Sequence, residues 1–67
     1  MRTYKPHERP DIEVLVNGIW YPGQLRASWR RHGRKFHSVS WTERPGMTRL
    51  DTVPAARVRP AGQAMTA

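Results

Sequence analysis

Positive charge is concentrated between residues 26 and 35, a segment with five cationic side chains and no acidic one. A guanidinium presents a planar fork of N–H donors that fits phosphate oxygens and guanine edges. A hairpin turn at Gly33 would project these cations together from one end of the fold. The segment therefore predicts a hairpin that contacts phosphates along the backbone or in a groove. The cations are Arg26, Arg30, Arg31, Arg34 and Lys35.

A solvated loop is the alternative interpretation of this segment, because arginines also discourage pairing between sheet edges. A loop selected only for solubility usually carries charges of both signs. Trp29 and Phe36 flank the cluster. An exposed aromatic ring beside arginine can stack on an unpaired base or wedge a base step. We therefore include both rings in the predicted interface, where they stack or support the hairpin.

The whole chain is small and strongly basic, with 67 residues, a net charge of +7 and a pI near 11.4. Such a chain is attracted to polyanions, nucleic acid ahead of an anionic membrane. Most of the basic residues are Arg, which codon usage in a GC-rich genome would explain, but codon usage does not explain the net charge. We expect a nucleic-acid partner, DNA ahead of RNA, and no membrane partner.

The sequence gives no indication of catalysis, a cofactor or a metal. The five acidic residues are scattered, and the serines lack a recognisable elbow or base. His7, His32 and His37 have neither a cysteine partner nor the spacing of a zinc site. A chain of this size also has little room for a substrate pocket. We therefore predict that the protein is not an enzyme and binds no cofactor and no metal.

The cellular compartment is predicted from two absences in the sequence. There is no cysteine, as is usual in a reducing compartment. The first ten residues contain no apolar signal-peptide core, and no apolar run approaches the ~18 residues of a membrane span. Together these features predict a cytoplasmic protein.

Apolar alternation predicts short strands rather than helices. In the segment 11–16, Ile12, Val14 and Val16 share one face, which is typical of a strand with one buried side. The Asn-Gly pair at 17–18 is a strong signal for a two-residue hairpin turn. Further strands are predicted at 25–29 and 35–41, with a fourth strand at 47–53 and a fifth at 57–60. A 3₁₀ turn is predicted at 54–56. Between the first two strands, Pro22 and Gly23 predict a bulge or a bent edge position.

These elements predict an all-β fold, an antiparallel barrel of four to five strands over residues 11–60. So few short strands bury their apolar faces by curling, which also hides most sheet edges. Residues 1–10 are predicted to be a flexible arm, and residues 61–67 a disordered tail. The predicted core residues are Ile12, Val14, Val16, Tyr21, Leu25, Ala27, Val39, Trp41, Leu50, Val53 and Val58.

Three segments resemble the Tudor and agenet group of SH3-like barrels: VNGIWYPGQL, FHSVSW and RLDTVPAARVRP. The shared features are a turn glycine, a Trp-Tyr pair, an aromatic residue that ends the third strand, and a closing Val-Arg-Pro. The resemblance covers about residues 11–60 and implies an SH3-like barrel. The loop WTERPGM keeps Trp41 and Glu43 but lacks the second aromatic residue and the Asn of the methyl-lysine-reading pattern. The matching positions are Gly18, Trp20, Tyr21, Leu25, Val39, Trp41, Val53, Val58 and Arg59.

Two functions remain open at this point. The first is a small nucleic-acid-binding protein that holds duplex DNA, with little sequence specificity, through an Arg-rich hairpin. The second is a Tudor-like interaction module that recognises a peptide, methylated or unmodified, on an aromatic face of Trp20, Tyr21 and Trp41. Salt separates them, because phosphate binding weakens steeply with salt and binding in an aromatic groove does so much less. The predicted nucleic-acid contacts are Arg26, Trp29, Arg30, Arg31, Arg34, Lys35 and Phe36.

Overall fold

The strands that the alternation predicts are present in the computed structural model, which describes residues 1–62. The fold is all-β and antiparallel, as predicted. Five of its six strands lie within residues 11–60, which agrees with the four to five strands predicted there, and the sixth lies within residues 1–10. Two 3₁₀ turns, Pro6–Glu8 and Ala55–Arg57, complete the regular structure of residues 1–62. The strands are β1 Arg2–Thr3, β2 Asp11–Val16, β3 Ile19–Arg31, β4 Arg34–Arg44, β5 Met47–Pro54 and β6 Val58–Pro60.

Two tight turns set the register of the central hairpins. Asn17 and Gly18 join β2 to β3 as a two-residue loop, with φ angles of 50° and 81°. His32 and Gly33 join β3 to β4 in the same way, with φ angles of 51° and 76°. Two-residue loops with positive φ at both positions match the twist of antiparallel strands. The structure thus confirms the turns predicted at 17–18 and at Gly33.

The sheet is open, and in this respect the predicted barrel is wrong. Its strand order is β5-β4-β3-β2-β6, and β1 pairs with β3 beside this path. Within residues 1–62 the two outer strands, β5 and β6, do not pair with each other. Their outward backbone groups therefore remain at free edges, which a hydrogen-bonded barrel would have removed.

A one-residue shift in the pairing of β3 and β4 changes which side chains face inward. Leu25 lies opposite Val39, but Ala27 lies opposite Ser38. Arg26 is therefore an extra residue, a β-bulge, and a one-residue insertion moves every later side chain to the other face.

The bulge explains one error in the predicted core. Continued alternation from Leu25 would bury Ala27, whereas the structure buries Ser28 and leaves Ala27 half-buried. A second error is Leu50, which is 68% exposed. Leu50 lies three residues before the buried Val53, and this odd spacing places the two on opposite faces of β5. The buried apolar core consists of Ile12, Val14, Leu25, Val39, Trp41 and Val53, with Tyr4, Val16, Tyr21 and Val58 partly buried against it.

Residues 1–10, the predicted flexible arm, carry β1 and the first 3₁₀ turn. Arg2 lies opposite Ser28 and Thr3 opposite Ala27, and the Tyr4 amide donates to the carbonyl of Arg26 at 2.9 Å. The predicted tail at 61–67 begins with a turn at 61–62, and residues 63–67 lie outside the described part of the chain. Neither 3₁₀ turn of residues 1–62 has the length and apolar character needed to cross a membrane.

Gly23 lies directly against the backbone of β4. Its position has no room for a side chain, because a Cβ there would overlap the Ser40 carbonyl oxygen and lie 3.1 Å from the Cα of Trp41. Pro22, the residue before it, lies just beyond the β3–β4 ladder, which begins at Gly23. Its missing N–H therefore interrupts no bond to β4.

Replacing Gly23 with Ala should destabilise the fold by about 1–3 kcal/mol, because the obstructing atoms belong to the backbone and cannot rotate away. The measurement is thermal unfolding followed by circular dichroism. Gln24→Thr, at the exposed neighbouring position, is the control and should change stability by no more than about 0.5 kcal/mol. Equal effects of the two substitutions would contradict this account of the β3–β4 packing.

Candidate nucleic-acid interface

The predicted hairpin forms at the end of β3 and the start of β4, and we call its residues 29–36 the basic tip. The pairs across the two strands are Trp29 with Phe36, Arg30 with Lys35 and Arg31 with Arg34. All residues from 30 to 35 are exposed, and both aromatic residues are half-buried. The basic tip therefore presents its cations to solvent, while its two rings lie at the boundary with the folded sheet.

Both terminal pairs of the basic tip place like charges directly opposite each other. Such pairs are destabilising in an antiparallel ladder. Within residues 1–62, carboxylates form ion pairs with other arginines: Glu43 lies 3.1 Å from Arg49, and Glu13 lies 2.8 Å from Arg59. No carboxylate of this part of the chain compensates the cations of the tip, so its positive potential is available to an external anion.

The outer face of the basic tip combines aromatic rings with arginines. Residues at alternate positions and cross-strand partners share a face, so Arg31 and Arg34 lie on the same side as Trp29 and Phe36. The two rings stack with centroids 6.4 Å apart and an interplanar angle of 23°. This face offers two guanidinium groups next to a partly accessible aromatic surface.

The inner face of the basic tip carries Arg30 and Lys35, and β1 extends it. Arg2 lies opposite Ser28, which places Arg2 on the same side of the sheet as Arg30. The Arg2 guanidinium lies 4.9 Å from the centroid of the Tyr4 ring. A cleft of 590 Å³ lies among these side chains. The sequence prediction missed Arg2 and Tyr4, because the prolines of the first ten residues gave no strand signal.

Arg26, the first cation of the predicted cluster, lies apart from the basic tip. It is the half-buried bulge residue, four positions before Arg30, or about 13 Å along an extended strand. The structure thus brings together Trp29, Arg30, Arg31, Arg34, Lys35 and Phe36, and leaves Arg26 at the base of the hairpin.

A buried hydrogen bond anchors the base of the tip. The hydroxyl of Ser28 and Nδ1 of His37 are 2.7 Å apart, and both residues are 9% exposed. Burial lowers the pKa of His37, and the nearby positive charge of Lys35 lowers it further. The neutral ring is thereby favoured, and either the hydroxyl or the ring can be the donor in this bond.

The predicted aromatic face does not assemble on one side of the sheet. Tyr21 packs against the buried Trp41 with centroids 4.9 Å apart. Trp20 is adjacent to Tyr21 in β3 and therefore points to the opposite side. The Arg59 guanidinium lies 4.1 Å from the centroid of the Trp20 ring and also bonds Glu13 at 2.8 Å. Tyr21 and Trp41 therefore lie together on one side of the sheet, and Trp20 lies on the other side against Arg59.

Comparison with protein-family models, with curated proteins and with solved structures gives no match to this chain. Over residues 1–62, no group of three potential His, Asp or Glu ligands comes together as a metal site. The chemistry of the basic tip is that of a cationic ribbon with an adjoining aromatic surface.

The lowered pKa of His37 predicts that stability falls in mild acid. The unfolded chain binds a proton near the ordinary value of 6.5, whereas the folded chain binds it only at lower pH. Unfolding is therefore coupled to proton uptake, and the free energy of unfolding should decrease as pH falls below about 6.5.

Urea unfolding at about pH 7.5 and about pH 5 measures this effect. His37→Gln should reduce the difference in stability between the two conditions, because it removes the titrating ring. His32→Asn, at an exposed turn position with positive φ, is the matched control and should retain the difference. An unchanged difference in His37→Gln would show that other groups cause the acid sensitivity.

Proposed function

We propose that this protein binds nucleic acid, duplex DNA in particular, through the basic tip and with little sequence specificity. One observation supports this most directly: the tip holds Arg30 opposite Lys35 and Arg31 opposite Arg34 with no compensating carboxylate in the described chain. Phosphates placed between these cations would replace the repulsion by charge-assisted hydrogen bonds. Binding would also release counterions condensed on the duplex.

The dimensions of the hairpin agree with groove binding. Two paired strands lie about 4.8 Å apart, and the major groove, about 12 Å wide, admits a two-stranded ribbon. In such a pose the arginines of both faces reach the phosphates along the groove walls. The Trp29–Phe36 surface at the base of the tip would then lie against sugars or an exposed base step.

The proposal includes a Tudor/SH3-like character for residues 11–60. Four consecutive strands form a meander, and the chain then passes through the 3₁₀ turn Ala55–Arg57 into β6, which pairs with β2. The first and last strands of this segment are thereby neighbours, as in the small barrel that the sequence resembles. The fold alone does not determine function, so the interface argument depends on the tip and not on this assignment.

The salt dependence of binding tests the proposal. Replacing Arg31 and Arg34 with Ala should weaken duplex binding and lower the slope of log K against log salt by about 1.8, or about 0.9 for each lost phosphate contact. The measurement is fluorescence anisotropy of a labelled 15-base-pair duplex (a length of about one and a half helical turns) over a series of salt concentrations.

The matched control replaces Arg44 and Arg49 with Ala, which removes the same amount of charge. Arg44 lies ten residues from Arg34 along β4, or about 33 Å of extended strand at 3.3 Å per residue. Arg49, the other residue replaced in the control, forms an ion pair with Glu43. This variant should leave the slope nearly unchanged. Equal slopes in the two variants would attribute binding to net charge and not to the basic tip.

Sequence specificity should be weak, because residues 29–36 contain neither Asn nor Gln, the side chains that pair with adenine. Scrambling the duplex at constant composition should change affinity by less than about tenfold, or roughly 1.4 kcal/mol. A competition titration against several scrambles and one randomised pool measures this. A pool member bound about a hundredfold more tightly than the scrambles would instead identify the tip as a base-reading element.

A further inference from the structure

Strand β5 is a long free edge. It has eight residues, ends the strand order of the sheet, and pairs only with β4 among the elements of residues 1–62. Leu50, at its middle, is 68% exposed, and Met47 is 38% exposed. A long edge with an apolar side chain at its centre is a template for pairing with another strand. The other edge of the sheet, β6, has only three residues.

One hydrogen bond shows which backbone groups of β5 face outward. The N–H of Thr52 donates to its neighbour's side chain, Oδ1 of Asp51, at 2.9 Å. This amide therefore points to the free edge and not to β4. In an antiparallel strand the outward-pointing residues recur at every second position. Thr48 and Leu50 consequently share this orientation with Thr52.

We propose that two copies of this chain pair through β5, antiparallel, about a twofold axis at Leu50. The outward-facing residues Thr48, Leu50 and Thr52 are symmetric about this centre. In this register Leu50 lies opposite Leu50 of the partner subunit, and Thr52 lies opposite Thr48 of the partner subunit. The edge N–H of Thr52 exchanges the Asp51 carboxylate for a carbonyl of the second copy. A twofold interface is self-complementary, which this arrangement satisfies.

The charges of β5 support this register. Pairing centred on Leu50 places Arg49 opposite Asp51 of the partner subunit, and the twofold axis repeats this pair. Opposite charges that face each other across an antiparallel ladder are stabilising. If the register shifts by one residue in either direction, Arg49 no longer lies opposite Asp51 of the partner subunit. Two antiparallel copies of the segment MTRLDTV are therefore complementary in charge.

The dimer would be weak and reversible. A single strand pair buries less surface than the ~1,200 Å² at the lower end of stable interfaces, so association is expected at tens to hundreds of micromolar protein. This inference does not depend on the proposed function, because Leu50 and the basic tip belong to different strands. Pairing through β5 would nevertheless join two DNA-binding tips in one particle.

Sedimentation equilibrium over about 10 µM to 1 mM protein tests the proposal, since this range brackets the expected association. The chain should show a monomer–dimer equilibrium. Arg49→Asp and Asp51→Arg should each weaken dimerisation by about tenfold or more, because each single substitution places like charges opposite each other at both positions. The double variant R49D/D51R restores both pairs and should dimerise like the original chain.

Mixing the two single variants gives the sharpest comparison. An R49D chain carries acids at 49 and 51, and a D51R chain carries arginines at both. An equimolar mixture should therefore form a heterodimer more readily than either variant self-associates. Glu43→Gln removes the present partner of Arg49 without changing β5 and should leave dimerisation intact. Circular dichroism establishes that each variant is folded.

Two outcomes would overturn the inference. One is a chain that remains monomeric at about 1 mM, the upper end of the range in which an edge this long should associate. The other is a dimer whose stability is insensitive to the charge reversals and their combination, which would place the contact elsewhere on the molecule. Retention of DNA binding by a monomeric variant would leave the proposed function unaffected, so the two proposals fail separately.

Discussion

A single extra residue in β3, Arg26, determines which side chains of the hairpin act together. Without this bulge, the alternation from Leu25 would place Trp29 inside and Ser28 outside. With it, Ser28 reaches His37 in the interior, and the aromatic rings move to the other face beside the tip arginines. The bulge also lies at the position in β3 where pairing with β2 ends and pairing with β1 begins. The Arg26 carbonyl there accepts a hydrogen bond from the Tyr4 amide. The core, the pairing of residues 1–10 with β3, and the basic tip therefore all depend on this one register shift.

The basic tip is anchored at its base by side-chain contacts and destabilised by repulsion between its cations. The Ser28–His37 hydrogen bond and the stacked aromatic pair connect the hairpin to the sheet, while the last two cross-strand pairs bring cations together. Repulsion of this kind lowers folding stability, and residues 1–62 contain only six buried apolar side chains to offset it. In the proposed complex, a polyanion would relieve that cost. The same charges that weaken the free protein would then favour the complex.

The sequence predicted the parts of the fold that local chemistry determines. Asn17–Gly18 and Gly33 marked two-residue turns because few residues tolerate positive φ, and alternation located the strands between them. The bulge at Arg26 carries no comparable local signal. The prediction of which β3 side chains face the core after Leu25 was therefore wrong. Strand β1 was missed because its pairing is non-local and the prolines around it suggested an arm. Leu50 is apolar like the core residues, but its odd spacing from the buried Val53 places it on the opposite face of β5.

The central claim is that the basic tip is the nucleic-acid interface, and an amide chemical-shift titration tests it most directly. The protein is titrated separately with a short duplex, the corresponding single strand and an acidic peptide. The account predicts that the duplex shifts the amides of residues 29–36 and those of Arg2 and Tyr4, at lower ligand concentration than the peptide does. Shifts centred on Trp20 and Tyr21, with the peptide as the tightest ligand, would contradict it.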